Sequence, residues 1–414
     1  MKLRPLIFWP HLIAGTAAGL VILLMAFTGV LLTYERQLVA WADSQYRSVA
    51  PAPGAKRLPV DEIVEAARSQ SGLAVTAVVV ASDAAAPVTL TAADKTLFAD
   101  AYSGALLGEG SQHMRRFMSS VRGWHRWLAV DGEGRAAARA VTGWANLLFA
   151  FIVLSGFYLW IPRVWRWPQV RAVLLFKRGA TSKARDFNWH NVIGFWSAVP
   201  LFIVVVSAVP ISFQWANAAV YRAVGETPPA GRGGAGAGRE AGRESRRNGQ
   251  PQTRDGGGER RREREGGGRT GNSLALDLLL ARAERQVPGW RTINLRLPES
   301  SGAPVVFNID AGSGGQPHLR STLTVDGTSG AVVSFENFST LTLGRRIRNV
   351  MRFAHTGEVL GLPGQTVAGL VSAGAVVLVW TGLALALRRC RAWLGRRVSR
   401  PDAASPPDRT AAVA

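Results

Sequence analysis

The sequence is poor in cysteine and in charge. Its one cysteine among 414 residues, Cys390, excludes an intramolecular disulfide framework, a CxxC zinc site and an iron–sulfur cluster held by cysteines alone. Charged residues make up 19% of the chain, whereas soluble proteins carry about 25%. The charge that remains has one dominant sign, with 49 Lys and Arg against 28 Asp and Glu. Such a composition is typical of a membrane protein or of a nucleic-acid binder.

Several motifs of enzymes and nucleotide-binding proteins are also missing. The sequence has no GxGxxG fingerprint, Walker loop, HExxH motif, nucleophile elbow or paired-carboxylate signature. These motifs position phosphates, metals or nucleophiles in recognisable ways. We therefore expect no flavin or nicotinamide site.

Four long uncharged runs decide the class of protein. Each has 21 to 24 residues, and about 20 suffice for a helix to cross the roughly 30 Å hydrocarbon layer. The runs are Leu12–Leu32, Val141–Ile161, Val192–Trp215 and Val367–Leu387. The first is longer than the apolar core of a signal peptide, so we interpret it as an uncleaved anchor. The sequence predicts a four-helix transmembrane bundle.

Basic flanks predict the orientation of the bundle. The N-terminus carries +2, the loop 163–189 carries +6 and the tail from Arg388 carries +5, so these flanks hold +13 of the formal +21. Cytoplasmic flanks are enriched in Lys and Arg. We therefore expect both termini in the cytoplasm, and the stretches 33–140 and 216–366 outside it.

The two outside stretches have related patterns. In each, a helical segment, Val60–Ser71 or Leu274–Gln286, precedes several short strand-like runs. These runs are Ala74–Ala81, Val88–Thr91 and Leu97–Ala99 in the first stretch, and Arg291–Leu297, Val305–Ile309 and Leu323–Val325 in the second. Each series ends in a turn of the pattern Asp-x-x-Ser-Gly, at Asp100–Gly104 and Asp326–Gly330. The sequence thus predicts two small α+β modules.

Spacing indicates an internal duplication with one insertion. His11 precedes Asp100 by 89 residues and His190 precedes Asp326 by 136, an excess of 47. The Gly/Arg-rich segment Thr227–Gly271 has 45 residues and explains nearly all of it. Its composition predicts a disordered spacer; contact with a polyanion is the alternative. It has no aromatic residue for base stacking, so we expect no nucleic-acid partner.

Four of the six histidines stand at corresponding positions of the two repeats. His11 and His190 lie at the start of the first and third spans, and His125 and His355 lie upstream of the second and fourth. Ionisable residues in a membrane usually mark function, and neutral imidazole is a common axial ligand of haem iron. The pattern predicts two b-type haems, an inner one held by His11 and His190 and an outer one held by His125 and His355. His113 is an alternative to His125.

Other residues are candidates for contacts with these haems. Gly15 and Gly194 follow the inner histidines by four residues, and they share a helix face with them, so they leave room for a flat macrocycle. Arginines flank the outer histidines, on short helices expected over Met114–Val130 and Arg345–Leu360. They pair either with haem propionates or with lipid phosphates, and they are Arg122, Arg126, Arg348 and Arg352. We expect His318 to be exposed, with a substrate contact as the alternative.

The chain also resembles a known family at several short motifs. These motifs are Trp9-Pro10-His11 with Thr28-Gly29, Trp124-His125-Arg126-Trp127-Leu128, Ser155–Arg163, Trp189-His190-Asn191, His355-Thr356-Gly357-Glu358 and Thr381-Gly382. They resemble those of the PepSY-associated transmembrane (PepSY-TM) proteins, often labelled iron-regulated or iron-uptake membrane proteins. The third span departs from the pattern, with Ser207-Ala208 where the other spans have Thr-Gly or Ser-Gly.

The resemblance implies a bacterial inner-membrane protein with two periplasmic PepSY-like domains. We expect membrane spans at 12–32, 141–161, 190–215 and 364–387. The cytoplasmic parts are then the N-terminus at 1–11, the loop at 162–189 and the tail at 388–414. The outside parts are the domains at 33–113 and 272–340, an interfacial helix and link at 114–140, the insertion at 227–271 and a second interfacial helix at 345–360. Some relatives are di-haem ferric-siderophore reductases.

The first functional hypothesis is therefore haem-dependent electron transfer from a quinol or a cytoplasmic donor to a periplasmic ferric chelate. A non-catalytic sensor or protease-regulating anchor is the second. An iron-chelate permease subunit is a weaker third, because no span carries an internal charge or a broken-helix substrate site.

Overall fold

The computed structural model describes residues 3–50, 52, 54–162, 164–229, 274–298, 300 and 302–398. Most of the predicted insertion, 230–271, and the end of the tail, 399–414, lie outside the described residues. The chain divides into two compact units. The first comprises Met1–Val30, Trp124–Val206 and Ala368–Ala414, and the second comprises Leu31–Gly123 and Ser207–Val367.

Among the described residues, four helices are long and apolar enough to cross a membrane, as the sequence predicts. They are α1 (Leu3–Thr33), α5 (Arg135–Trp160), α7 (Ser182–Ser212) and α11 (Gly361–Val398). Each extends beyond its uncharged run at one end or both, and long basic side chains there can reach water while their stems stay in apolar surroundings. Helices α5 and α7 begin before their runs but end at Trp160 and Ser212, short of Ile161 and Trp215. As one result, His190 lies eight residues inside α7 instead of at its beginning. The chain is a multi-pass membrane protein.

Small residues let the spans of the first unit approach closely. Ala18, Ala145 and Ala375 are buried in its apolar clusters. A Cβ added to Gly19 would lie 3.0 Å from Leu383 Cδ2, so α1 and α11 touch at this point. Packing of this kind replaces the hydrophobic effect, which does not drive helices together in lipid.

The second unit repeats the order of one helix followed by four strands. The first series is α3 (Val60–Ser71), β1 (Val75–Ala81), β2 (Val88–Ala92), β3 (Lys95–Ala99) and β4 (Leu106–Glu109). The second is α9 (Leu276–Gln286), β5 (Thr292–Arg296), β6 (Val305–Asp310), β7 (Arg320–Val325) and β8 (Val332–Asn337). The described residues also form the α-helices α2 (Glu35–Ala42), α4 (Gln112–Trp127), α6 (Trp167–Leu174), α8 (Gln214–Arg222) and α10 (Leu343–His355).

The eight strands form one antiparallel sheet in the order β4-β3-β2-β1-β5-β6-β7-β8. Strands β1 and β5 join the two series, with Val79 opposite Asn294. One apolar cluster runs under both series and includes Val78, Ile293 and Phe307. The two modules expected from the sequence therefore share a sheet and a core. The sequence patterns missed the edge strands β4 and β8, which are short or largely exposed and so lack a clear apolar alternation.

The predicted Asp-x-x-Ser-Gly turns are confirmed at both positions. Asp100 Oδ1 accepts hydrogen bonds from the backbone N–H groups of Tyr102 (2.9 Å) and Ser103 (2.8 Å). Asp326 Oδ1 accepts the equivalent bond from Ser329 at 2.7 Å. The glycine that ends each turn has φ of +70°, which a residue without a Cβ adopts at no steric cost.

Candidate functional site

A cavity of about 1220 Å³ lies within the helix bundle of the first unit. His11 of α1 and His190 of α7 both line it, together with Gly15 and Gly194. A Cβ added to Gly15 would have no atom within 4 Å, so this glycine faces open space. The four inner residues singled out in the sequence therefore meet at one cavity.

A hydroxyl group fixes the ring of His11. Its Nδ1 lies 2.9 Å from Ser155 Oγ of α5. The Ser155 hydroxyl donates its own hydrogen to Phe151 O at 2.7 Å, so its oxygen accepts the bond from His11 Nδ1–H. A neutral imidazole that carries its proton on Nδ1 has a free lone pair on Nε2.

His190 has the same arrangement with α11. Its Nδ1 lies 3.1 Å from Leu378 O and 3.1 Å from Thr381 Oγ1. A carbonyl oxygen only accepts, so Nδ1 carries the proton and Nε2 keeps its lone pair. Metal-ligating histidines usually donate their other N–H in this way, which sets both the tautomer and the ring orientation.

His125, near the end of α4, follows the same rule. Its Nδ1 lies 2.9 Å from Thr28 Oγ1, and the Thr28 hydroxyl donates to Leu24 O at 2.7 Å. Three of the four predicted ligands therefore take a hydroxyl partner from a membrane-spanning helix.

The glycine after each hydroxyl residue lets the imidazole ring lie against the helix. A Cβ on Gly156 would stand 3.2 Å from His11 Cε1, and one on Gly382 would stand 3.2 Å from His190 Cε1. The corresponding distance from Gly29 to His125 Cε1 is 3.6 Å. The first two distances are shorter than ordinary van der Waals contact, so a larger residue would push the ring away.

These Ser/Thr-Gly pairs belong to the family motifs found in the sequence, but the sequence alone predicted no function for them. His11 and Ser155 are 144 residues apart, and His190 and Thr381 are 191 apart. The difference is 47, which equals the excess that the insertion explains. The repeated spacing was the signal that could have paired each histidine with its partner.

Two buried donors on the wall of this cavity have no hydrogen-bond partner among the described residues. They are Trp160 Nε1 and Arg388 Nη1. An unsatisfied buried donor costs about 1–3 kcal/mol, so such groups usually serve a ligand. Arg4, Lys183 and Arg389 also line the cavity. The donor set fits an acidic, flat group such as a haem with its two propionates; the sequence had placed candidate propionate partners only beside the outer histidines.

The arginines proposed for the outer site are placed differently from one another. Arg122 forms an ion pair with Glu35, and Arg348 Nε donates to Asn217 Oδ1 at 2.6 Å. Arg126 lies over the Trp127 ring at 5.1 Å, and Arg352 is exposed. The polar partners of Arg122 and Arg348 therefore compete directly with an acidic ligand.

The histidines outside the predicted set are exposed. His113 lies in the first turn of α4, and His318 lies in a short turn before β7. Within the second unit, His355 is the last residue of α10 and is partly buried.

A cluster of charged groups in the second unit was not foreseen. Burial lowers the pKa of Arg320, and its neighbours Asp310, Arg36, Arg352 and Glu358 act on it with opposing signs. Arg320 Nε lies 3.6 Å from Asp310 Oδ2, and Arg36 Nε lies 3.2 Å from Glu358 Oε1. The cluster has three cations and two carboxylates, and so an excess of positive charge.

The fold and the bundle cavity together define a multi-pass membrane protein with an α+β sheet unit and a histidine-lined cavity. The family described as the PepSY-associated TM region matches residues 8–389. The chain belongs to this family. A comparison with curated proteins gives no match.

Proposed function

We propose that the chain binds two b-type haems and carries electrons through a bacterial inner membrane to a periplasmic ferric chelate. The observation that carries this proposal is the inner cavity, where two histidines with protonated Nδ1 line one space of about 1220 Å³. A haem held by two imidazoles supplies a one-electron Fe(III)/Fe(II) couple.

The residues of the inner cavity have distinct roles in this proposal. Ser155 and Thr381 hold the Nδ1–H tautomers of His11 and His190, which leaves Nε2 of each ring free to bind iron. Gly15 and Gly194 leave space for the macrocycle. Trp160 and Arg388 supply N–H donors for its propionates, and bonds to a carboxylate are stronger when the donor is charged.

For the outer haem we propose His125 and His355 as ligands. The protonated Nδ1 of His125 supports its role. Its repeat equivalent, His355, has Ser207 of α7 as the counterpart of Thr28. Arg122, Arg126, Arg348 and Arg352 are the proposed propionate contacts, and the bonds of Arg122 to Glu35 and of Arg348 to Asn217 would compete with this role.

The orientation and the duplication belong to the same proposal. Basic flanks support the proposal that the termini are cytoplasmic and that the sheet unit is periplasmic. The repeated order of one helix and four strands supports an internal duplication of two PepSY-like halves. The cationic cluster around Arg320 then faces the compartment that holds the anionic chelate. The electron donor is a quinol or a cytoplasmic reductant.

Stopped-flow spectroscopy on the purified protein tests this function. Protein reduced with dithionite and freed from excess reductant is mixed with ferric citrate, while the haem α band and Fe(II) trapped by ferrozine are followed together. We expect oxidation of the haem with an equal amount of Fe(II), and loss of this reaction in His355→Ala. The exposed His318→Ala variant is the matched control. Haem that stays reduced in the presence of the chelate would contradict the proposed activity.

One feature favours a second candidate, the non-catalytic anchor that acts through protein contacts. The edge strand β8 exposes Val333 by 59%, and an uncovered edge can pair with a strand of a partner protein. A purified protein without a Soret band that still binds a periplasmic partner would favour this function.

A further inference from the structure

A second, separate space of about 780 Å³ lies on the same bundle. It is a groove with walls from α1, α4, α7 and α11, and it includes Leu20, Leu24 and Trp380. Leu20 and Trp380 are largely exposed, so the groove opens towards the surroundings of the spans, which in this class of protein are lipid. Its lining is almost entirely apolar, as the lining of a site for a lipid-soluble ligand would be.

One end of this groove carries a buried carboxylate. Asp186 of α7 is 6% exposed and lies 2.8 Å from Arg388 and 3.2 Å from Arg185. The sequence assigned Asp186 to a cytoplasmic loop, and in the structure it lies in the N-terminal part of α7, before the uncharged run from Val192. Burial of a charge is costly, so a buried carboxylate beside an apolar groove is a candidate for a function.

Two residues connect the groove with the histidine cavity. Arg388 lines the cavity and forms the ion pair with Asp186, which lines the groove. Thr381 lines the groove, and its hydroxyl oxygen accepts a hydrogen bond from His190, which lines the cavity. The two spaces therefore share a wall, made partly of the residues that fix the orientation of His190.

We propose that this groove binds a quinol, with its head group at Asp186 and its tail along Leu20, Leu24 and Phe27. A quinol hydroxyl is a neutral donor that the Asp186 carboxylate can accept, and the rings of Trp189 and Trp380 offer aromatic faces for the head group. Thr381, which lines the groove, is hydrogen-bonded to His190, the predicted ligand of the inner haem.

This inference rests on the proposed function for its redox step. Oxidation of one quinol to the quinone releases two electrons and two protons. Two ferric haems each take one electron, and both protons pass to water near Arg185, whose side chain is 51% exposed.

Titration of the full-length protein, reduced beforehand so that it cannot oxidise the ligand, with decylubiquinol, a short-tailed benzoquinol, tests the site by calorimetry in mild detergent without oxygen. We expect saturable binding that is at least tenfold weaker in Asp186→Asn and in Val377→Trp, which fills the groove. Val199→Trp makes the same change on a lipid-facing position of α7 outside the groove, and it should bind as the parent does. Equal binding by all four proteins, or no saturable binding at all, would overturn the proposal.

Two further measurements separate this inference from the proposed function. Haem is quantified on the same samples, and added phospholipid is tested as a competitor. Haem-containing protein that fails to bind the quinol refutes only the groove. Quinol binding by haem-free protein keeps the groove and refutes the electron-transfer function. Complete displacement by phospholipid at low molar ratio would show that the groove is a lipid site, and would overturn the proposal.

Discussion

The Oγ of Ser155 lies 2.9 Å from Nδ1 of His11. The equivalent hydrogen-bonded pair of the second repeat is His190 and Thr381, which lie 191 residues apart in the sequence. In both pairs the hydroxyl is already a donor to a carbonyl of its own helix, so it accepts from the imidazole. Each pair joins two membrane-spanning helices, and its hydrogen bond at Nδ1 leaves Nε2 as the ring nitrogen that is free to bind iron.

Removal of the hydroxyl should weaken the inner ligand without removing it. Ser155→Ala deletes the acceptor of His11 Nδ1–H, and loss of such an outer contact typically costs about 10–100-fold in metal affinity. We expect a haem affinity lower by about that factor in titrations of the purified apoprotein. Ser155→Thr keeps the hydroxyl and should restore most of the affinity. If Ser155→Ala binds haem like the parent, the bond does not position the ligand.

The glycine after each hydroxyl should tolerate no larger residue. A Cβ on Gly382 would lie 3.2 Å from His190 Cε1, so Gly382→Val displaces the ring from its bond with Thr381. We expect a loss or a shift of one Soret component in the absorption spectrum. Gly395 is in the same helix and has nothing within 4 Å of an added Cβ. Gly395→Val should keep the parental spectrum, and an equal effect of the two changes would contradict the steric account.

The repeat predicts a partner for the fourth histidine. His125 pairs with Thr28 across 97 residues, and His355 and Ser207 are 148 apart. The two separations differ by 51 residues. Of these, 47 are the excess already found between the repeats. The other four arise because the second repeat has four more residues than the first between its Asp-x-x-Ser-Gly turn and its histidine. Ser207→Ala should therefore alter the haem that His355→Ala removes, and leave the other unchanged in redox titrations. An effect on the His190-dependent haem would refute this pairing.

How far the sequence predicts the structure depends on the range of the interactions. The spans follow from runs such as Leu12–Leu32, since lipid demands a local apolar stretch. The turn at Asp100 follows from side-chain bonds within three residues. The pairing of β1 with β5 was missed, because each module's own pattern does not specify which edge meets a distant partner. The burial of Asp186 was missed as well, since helix α7 continues past the end of its uncharged run.

Acid should weaken the sheet unit through its two turns. Burial acts to raise the pKa of Asp100, but hydrogen bonds from Ser103, Tyr102 and Val49 outweigh it and hold the pKa below its usual value. Bonds from Ser329 and Thr328 likewise lower the pKa of Asp326. A lowered pKa in the folded state means that the stabilisation is complete above about pH 4 and is lost as the pH falls through the folded value.

Circular dichroism of the full protein during acid titration measures this effect. We expect Asp100→Asn to lower the temperature of the transition that reports the sheet at neutral pH, and to flatten its dependence on pH below 4. Hydrogen bonds to a charged group contribute about 1.5–3 kcal/mol each at most, so the free energy of unfolding of the sheet should fall by an amount of this order. Asp277, an acid in the first turn of α9, provides the control Asp277→Asn. An unchanged acid profile in Asp100→Asn would contradict the assignment.

The haem content of the purified chain tests the central claim most directly. Protein expressed with a haem precursor and purified in mild detergent is analysed as its pyridine haemochrome against the concentration of the chain. Two ligand pairs, His11 with His190 and His125 with His355, predict two b-type haems per chain, one in His190→Ala, and two in His113→Ala. A value near zero for the parental protein, or an equal value in His190→Ala and the parent, would contradict it.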